Sequence, residues 1–243
     1  IITENHDSIN PKCPTIGQYV HALILSTEIV QGPLLVLGRF HYTDFVIMSR
    51  LEQNMSVQQP KFELRDEDEL SLDLIEAQYA LKDSRGKSNA KSVLIMVSGI
   101  ELAGKGEAVK QLREWLDPRY LKVKADAPKL LTNNQTFWQS YTRFIPAEGQ
   151  IVVMFGNWYS DLLATAMHVS KPLNEALFDD YVEQMRAFEH DLQHNHVHVV
   201  KVWFDLSWKS LQKRLDQIDA SEQHWHKLHG LDWRNKKQYD TLQ

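Results

Sequence analysis

From Glu67 onward the chain alternates between two kinds of pattern. Apolar residues recur at Leu70, Leu74, Ala77 and Leu81, spaced to share one face of an amphipathic helix. Its exit, SRGKSN, offers Gly86 for a left-handed cap. Four short runs then read as strands: SVLIMVS (92–98), LKVKA (121–125), QIVVMF (150–155) and VHVVKVWF (197–204). Most are apolar without alternation, as befits strands covered on both faces. Between them lie the helical patterns GEAVKQLREWL, NNQTFWQSYTRFI and NEALFDDYVEQMRAFEHDLQ. Strands alternating with helices predict right-handed crossovers and an α/β fold, a parallel sheet with helices on both faces. There is no internal repeat and no low-complexity segment.

Residues 1–54 fit this scheme poorly, mixing short apolar runs with Pro, Gly and His and showing no sustained period. They stay unassigned. Either they form a small accessory segment, or they are upstream sequence read in frame ahead of a start at Met55. The domain proper is expected over residues 55–243. Both ends read as cut, because the chain opens on Ile1 and stops at Gln243 inside the helix-like DWRNKKQYDTLQ. The expectation is a fragment.

Composition narrows the function classes. The 243 residues are 43% hydrophobic and 24% charged with a net charge of −5, which argues against indiscriminate nucleic-acid binding. A local basic pocket for an anionic substrate stays open. The single cysteine, Cys13, forms no internal disulfide and suits a reducing compartment. The most apolar early stretch, HALILSTEIVQGPLLVLG, is interrupted by Glu28, Gln31 and Pro33, so no membrane span is expected. No basic segment of a signal peptide precedes it, and the cytoplasm is the expected location.

The candidate chemistry sits after the first of the four strands. Gly99-Ile100-Glu101-Leu102-Ala103-Gly104-Lys105-Gly106 has the spacing G-x-x-x-x-G-K between a buried strand and a helix. Glycines at such a turn let several backbone N–H groups face one anion, and the helix start adds partial positive charge. The lysine then reaches the outer phosphates. Gly106 departs from the general pattern, where Ser or Thr ligates magnesium.

GIELAGKGEAVKQLREWLDPRY resembles the signature of the polyphosphate kinase 2 family, roughly G-x-D-x-A-G-K-G-x-x-I-K-x-x-x-x-x-L-N-P-R. Further matches follow in order: Pro146-Ala147-Glu148-Gly149, Trp158-Tyr159, Phe188-Glu189 with Leu192, Lys201 with Trp203, Arg214, Asp232-Trp233 and Tyr239-Asp240. The likeness covers about 67–243 and is closest to the N-terminal unit of tandem-domain polyphosphate:AMP phosphotransferases. It implies a P-loop kinase-like sheet with a mobile helical lid after Ser207, and phosphoryl transfer between inorganic polyphosphate and an adenine nucleotide with Mg2+. By position it assigns catalysis and phosphate contact to Lys105, the cradle to Gly99, Gly104 and Gly106, and polyanion contacts to Lys110, Arg119 and Arg214. It also implies packing on a second homologous domain and self-association.

The departures cut the other way. Where the family reads F-D-R-S-W-Y-x-R, this chain reads Met154-Phe155-Gly156-Asn157-Trp158-Tyr159-Ser160-Asp161. The metal-binding acid has become Phe155, and the two arginines Gly156 and Asp161. Glu101 replaces the loop Asp, Lys129-Leu130-Leu131-Thr132 replaces a Thr-x-x-Glu segment, and Ser140 stands for a lid-side arginine. One lost charge-stabilising donor commonly costs about 2.7–4 kcal/mol of transition-state stabilisation. The expectation is therefore a non-catalytic half that retains a phosphate cradle and has no metal ligands.

Three alternatives stand beside it. One is an active polyphosphate-dependent kinase recruiting Glu101 and Asp161 to the metal. The others are a purely structural dimerisation module and a generic nucleoside monophosphate kinase. The clusters His194/His196/His198 and His224/His226/His229 read as loop and lid surface rather than metal ligands. Trp203, Trp208, Trp225 and Trp233 read as core and lid packing.

Overall fold

A computed structural model of the chain describes residues 38–40, 45–47, 66–131, 137–166, 175–219 and 231–242. The helical pattern after Glu67 becomes α1 (Glu67–Asp83), and the four apolar runs become β3 (Ser92–Gly99), β4 (Leu121–Ala125), β5 (Ile151–Phe155) and β6 (Val197–Phe204). Helix α2 (Lys105–Trp115) follows β3, α3 (Trp158–Ala166) follows β5, and α4 (Glu175–His194) precedes β6. Helices α5 (Trp208–Asp219) and α6 (Lys236–Leu242) complete the chain order. Two three-residue strands, β1 (Gly38–Phe40) and β2 (Phe45–Ile47), extend the sheet to the order β2-β1-β6-β3-β5-β4. Among the described residues only the β1–β2 pair is antiparallel. Strands this short carry too few residues for a period to register in sequence.

The central strand explains the layers. Residues of β3 alternate between faces. Val93, Ile95 and Val97 join Leu74 of α1 and Ala108, Val109 and Leu112 of α2 in one core. Leu94 and Met96 join Trp158 and Leu162 of α3 and Tyr181 and Met185 of α4 in the other. Burying each such side chain contributes about 1.5–3 kcal/mol. A third core at the C-terminal end of the sheet joins Ile100 to Leu211 and Leu215 of α5 and to Trp233 and Tyr239.

Several expectations are corrected. In α1 the buried stripe is Leu70, Leu74 and Gln78, not Ala77. The Gln78 amide is tolerated there because it donates to the Asp117 carbonyl (3.1 Å) and accepts from the Asp117 N–H (2.8 Å). The cap of α1 is Ser84, with Gly86 left-handed two residues beyond. In the run NNQTFWQSYTRFI the described residues form two short 3₁₀ turns, Phe137–Ser140 and Thr142–Phe144, and the buried Tyr141 between them donates to Asp161. His198 is no surface residue: it is half-buried in β6, where burial lowers its pKa. Within the region expected to supply a helical lid after Ser207, α5 packs into the third core. The cluster around His224 and the residue Trp225 lie outside the described residues.

Candidate functional site

The loop from Gly99 to Gly106 leaves the C-terminal end of β3 and runs directly into α2. Gly99 packs so closely on β6 that an added Cβ would lie 2.0 Å from the Phe204 carbonyl oxygen, so no side chain fits. Gly104 caps α2 with φ of +95°. Leu102 holds a left-handed φ of +62°, and its carbonyl accepts a hydrogen bond from Arg214 Nη1 of α5. Ile100, Leu102 and Ala103 meanwhile pack in or against the third core, which braces the loop from outside.

Lys105 points back into the turn. Its Nζ donates to the Gly99 carbonyl at 2.7 Å and to Glu101 Oε1 at 2.9 Å. The side chain is 7% exposed, and burial pulls its pKa below the usual lysine value, with Glu101 opposing. A small cavity of about 50 Å³ opens beside it, lined by Gly99, Glu101, Lys105, Pro128, Trp203 and Trp233 among others. An added Cβ at Gly106 would meet nothing within 4 Å, so glycine there is not a steric necessity.

Of the residues proposed from sequence, Gly99, Gly104, Lys105, Gly106 and Arg214 come together at this turn. Lys110 and Arg119 do not. Lys110 is exposed on α2, paired with Glu114 at 3.7 Å and about 7.5 Å along the helix axis from Lys105. Arg119 precedes β4, and since β3, β5 and β4 run parallel it lies at the end of the sheet away from the loop. Its guanidinium grips Asp117 at 2.6 Å and holds that carboxyl well below the usual carboxylate range.

The end of β5 is closed rather than open. Phe155 is partly buried against the first core, the same core that Ala103 of the loop packs against. Gly156 has φ of +97°, and a Cβ there would lie 2.0 Å from the Asp126 carbonyl oxygen. Asp126, at the head of the strap 126–131, therefore packs directly on it, and its N–H donates to the Phe155 carbonyl at 2.9 Å. Two side chains of α3 hold this strap: Asp161 Oδ1 accepts from Lys129 N–H (2.8 Å) and Thr165 Oγ1 from Leu131 N–H (2.9 Å). The other Asp161 oxygen accepts from the Tyr141 hydroxyl. Burial raises the pKa of Asp161, with these hydrogen bonds opposing.

Sequence reasoning missed Lys124, which is buried at the same junction. Its Nζ donates to the Gly156 carbonyl (3.1 Å), lies 3.4 Å from Asp126 and sits over the rings of Tyr141 and Phe144. Burial lowers its pKa. Nothing in LKVKA distinguishes it from the exposed Lys122 two residues earlier on the same face.

The signature residues beyond the loop form a buried network on the α3–α4 side. Glu189 Oε1 accepts from Trp158 Nε1 (2.9 Å) and the Tyr159 hydroxyl (2.8 Å), and Lys201 Nζ reaches Glu189 Oε2 at 2.5 Å and Tyr159 at 2.6 Å. Asn157 caps α3 through its Oδ1 and ties it to β3 through Ser98 and the Val97 carbonyl. Among the described residues no group of three His, Cys, Asp or Glu converges, and no helix is long and apolar enough to cross a membrane.

A parallel sheet whose central strand ends in a glycine turn folded around a lysine defines a P-loop-type α/β domain. A sequence profile described as Polyphosphate kinase 2 (PPK2) matches residues 62–243, and the chain belongs to that family. It is 76% identical over 178 residues to a polyphosphate:AMP phosphotransferase of Acinetobacter johnsonii, covering 73% of this chain and 38% of the relative. To the protein of the same name from Pseudomonas aeruginosa it is 37% identical over 179 residues, covering 72% and 34%. The chain thus spans little more than a third of these relatives. A crystal structure assigned to polyphosphate kinase 2 from Pseudomonas aeruginosa PA01 superposes with a TM-score of 0.51 at 33% identity, covering 62% of this chain and 32% of that one. The polyphosphate kinase 2 of Arthrobacter aurescens TC1 shares the fold, with a TM-score of 0.54 at 23% identity over 74% and 66%.

Proposed function

We propose that this chain is the non-catalytic unit of a polyphosphate:AMP phosphotransferase, and that its loop binds inorganic polyphosphate without transferring a phosphoryl group. The observation that carries this is the closed end of β5. A ring stands where the family has a metal-binding acid, and Gly156 has no room for a side chain. Both oxygens of Asp161 hold the strap and Tyr141. Glu101, the remaining carboxylate at the loop, is committed to Lys105. These donors do not suit a magnesium ion, which wants near-octahedral oxygen ligands from free carboxylates and waters. Phosphoryl transfer depends on positioning and on offsetting charge, so a unit without metal ligands and without the paired arginines retains only the binding part.

In this reading Lys105 and the N–H groups of the loop hold a run of phosphates, and Arg214 steadies the backbone from behind. The whole protein, cytoplasmic and assembled with a second homologous domain, carries AMP phosphorylation there. The test is a paired one. The chain is assayed with polyphosphate, AMP and magnesium, and polyphosphate binding is titrated for it and for Lys105→Ala. Turnover at least about 10³-fold below an intact family domain is expected, with an affinity loss of about tenfold or more in the variant. Turnover within about tenfold of that domain, or equal affinity of the two chains, overturns the proposal.

A further inference from the structure

We infer that Glu101 is an internal counter-ion that occupies Lys105 and so sets how tightly the loop takes phosphate. This rests on the reading that the loop binds polyphosphate. The Lys105 ammonium has three donors. Two of them are already engaged inside the turn, by the Gly99 carbonyl at 2.7 Å and Glu101 Oε1 at 2.9 Å. The lysine is 7% exposed and the glutamate 21%, so water screens this pair less than a surface ion pair.

A phosphate oxygen that reaches Lys105 has to displace a carboxylate tethered on the same short loop. That carboxylate acts as a competitor at high effective concentration, because its loop is held in place. The brace comes from outside: Ile100 is fully buried in the third core, Leu102 packs against it, and the Leu102 carbonyl is held by Arg214. The Glu101 backbone is thereby held beside Lys105, so that only rotation of the Glu101 side chain releases the ammonium. Its side-chain length matters, since an aspartate is one methylene shorter. Glu107, exposed in the first turn of α2, is a neighbouring carboxylate that Lys105 does not contact, and it supplies the control.

The direction of the effect makes the inference sharp: removing an acidic residue beside a polyanion site by relieving Lys105 should exceed the effect of removing a nearby charge that leaves Lys105 alone. The 243-residue chain is titrated with fluorescently labelled polyphosphate in EDTA and again in excess magnesium. Glu101→Gln is expected to tighten binding about three- to tenfold in both buffers, the range of a modest to partly shielded ion pair. Glu101→Asp, which keeps the charge but draws it back, is expected to tighten it in the same direction. Glu107→Gln is expected to change it by less than about twofold, a surface charge being largely screened. In a Lys105→Ala background the Glu101→Gln gain disappears.

The inference is overturned by a Glu101→Gln affinity equal to or weaker than that of the parent chain. It is equally overturned by a loss confined to the magnesium buffer, which would make Glu101 a metal ligand, or by an equal gain from Glu107→Gln. If neither the parent chain nor Glu101→Gln binds polyphosphate, the loop reading itself fails together with this one. A parent chain that binds while Glu101→Gln gains nothing leaves the loop reading intact and removes only the counter-ion.

Discussion

Substituting Lys201 by Met tests whether the signature residues beyond the loop serve the fold or the chemistry. Glu189 is 9% exposed and Lys201 5%, so both charges are withdrawn from water. Met fills much of the lysine volume but leaves the Glu189 carboxylate with only the neutral donors Trp158 Nε1 and Tyr159 hydroxyl. Removing one partner of a buried pair costs about 3–5 kcal/mol, chiefly because the other charge stays buried and uncompensated. With a urea m-value of about 2–3 kcal/mol/M, the unfolding midpoint should fall by roughly 1–2.5 M. Adding Glu189→Gln to Lys201→Met removes the stranded charge while the Gln carbonyl still accepts from Trp158 and Tyr159. The double variant should therefore recover at least about 2 kcal/mol of the loss, a coupling that distant sites do not show. Equilibrium urea unfolding followed by tryptophan fluorescence reads all four corners of the cycle. A midpoint shift under about 0.3 M for Lys201→Met, or two losses that simply add, would refute the assignment of these residues to a fold-holding network.

Three further outcomes follow from the site. Gly156→Ala should cost at least about 2 kcal/mol, from a positive φ and a Cβ driven into the Asp126 carbonyl, whereas Gly106→Ala should be neutral or slightly stabilising; urea midpoints separate the two. Asp161 has a pKa raised above the ordinary aspartate value of 3.8. The folded chain therefore binds this proton more readily than the unfolded one, and the penalty for the buried charge is felt at neutral pH. Wild-type stability relative to Asp161→Asn should accordingly rise as pH falls through the raised pKa toward 3.8, and a pH-independent difference in urea midpoints would count against it. Finally, Lys110→Ala and Arg119→Ala should leave polyphosphate affinity within about twofold of the parent, because neither side chain stands at the loop. A large loss in either titration would show that the phosphate chain runs farther along the surface than the loop.

Much of the site was legible in the residues, but unevenly. Gly99, Gly104 and Lys105 announce themselves by the G-x-x-x-x-G-K spacing, and the positive φ at Gly99 and Gly104 suits glycine. Lys110 and Arg119 stand away from that turn, and a basic side chain carries no mark of which end of a sheet it will occupy. Phe155 and Asp161 could be recognised as departures, yet only their surroundings give them a role. The Asp161 oxygens hold a strap and a buried tyrosine, and that requires residues 129, 141 and 161 to meet in space.

The four strands and most of the helices around them were legible from local order alone, since strands covered on both faces are mostly apolar and an amphipathic helix repeats its stripe. The chain by itself thus determined a parallel α/β sheet and the position of its glycine turn. Only the tertiary structure decided that Lys105 is bonded to Glu101, that Gly156 lies under the Asp126 carbonyl, and that Lys124 is caged between two rings. Periodicity records which way a residue faces along its own element. Which partner it meets there depends on how separate elements stack, and that information resides in no single stretch of sequence.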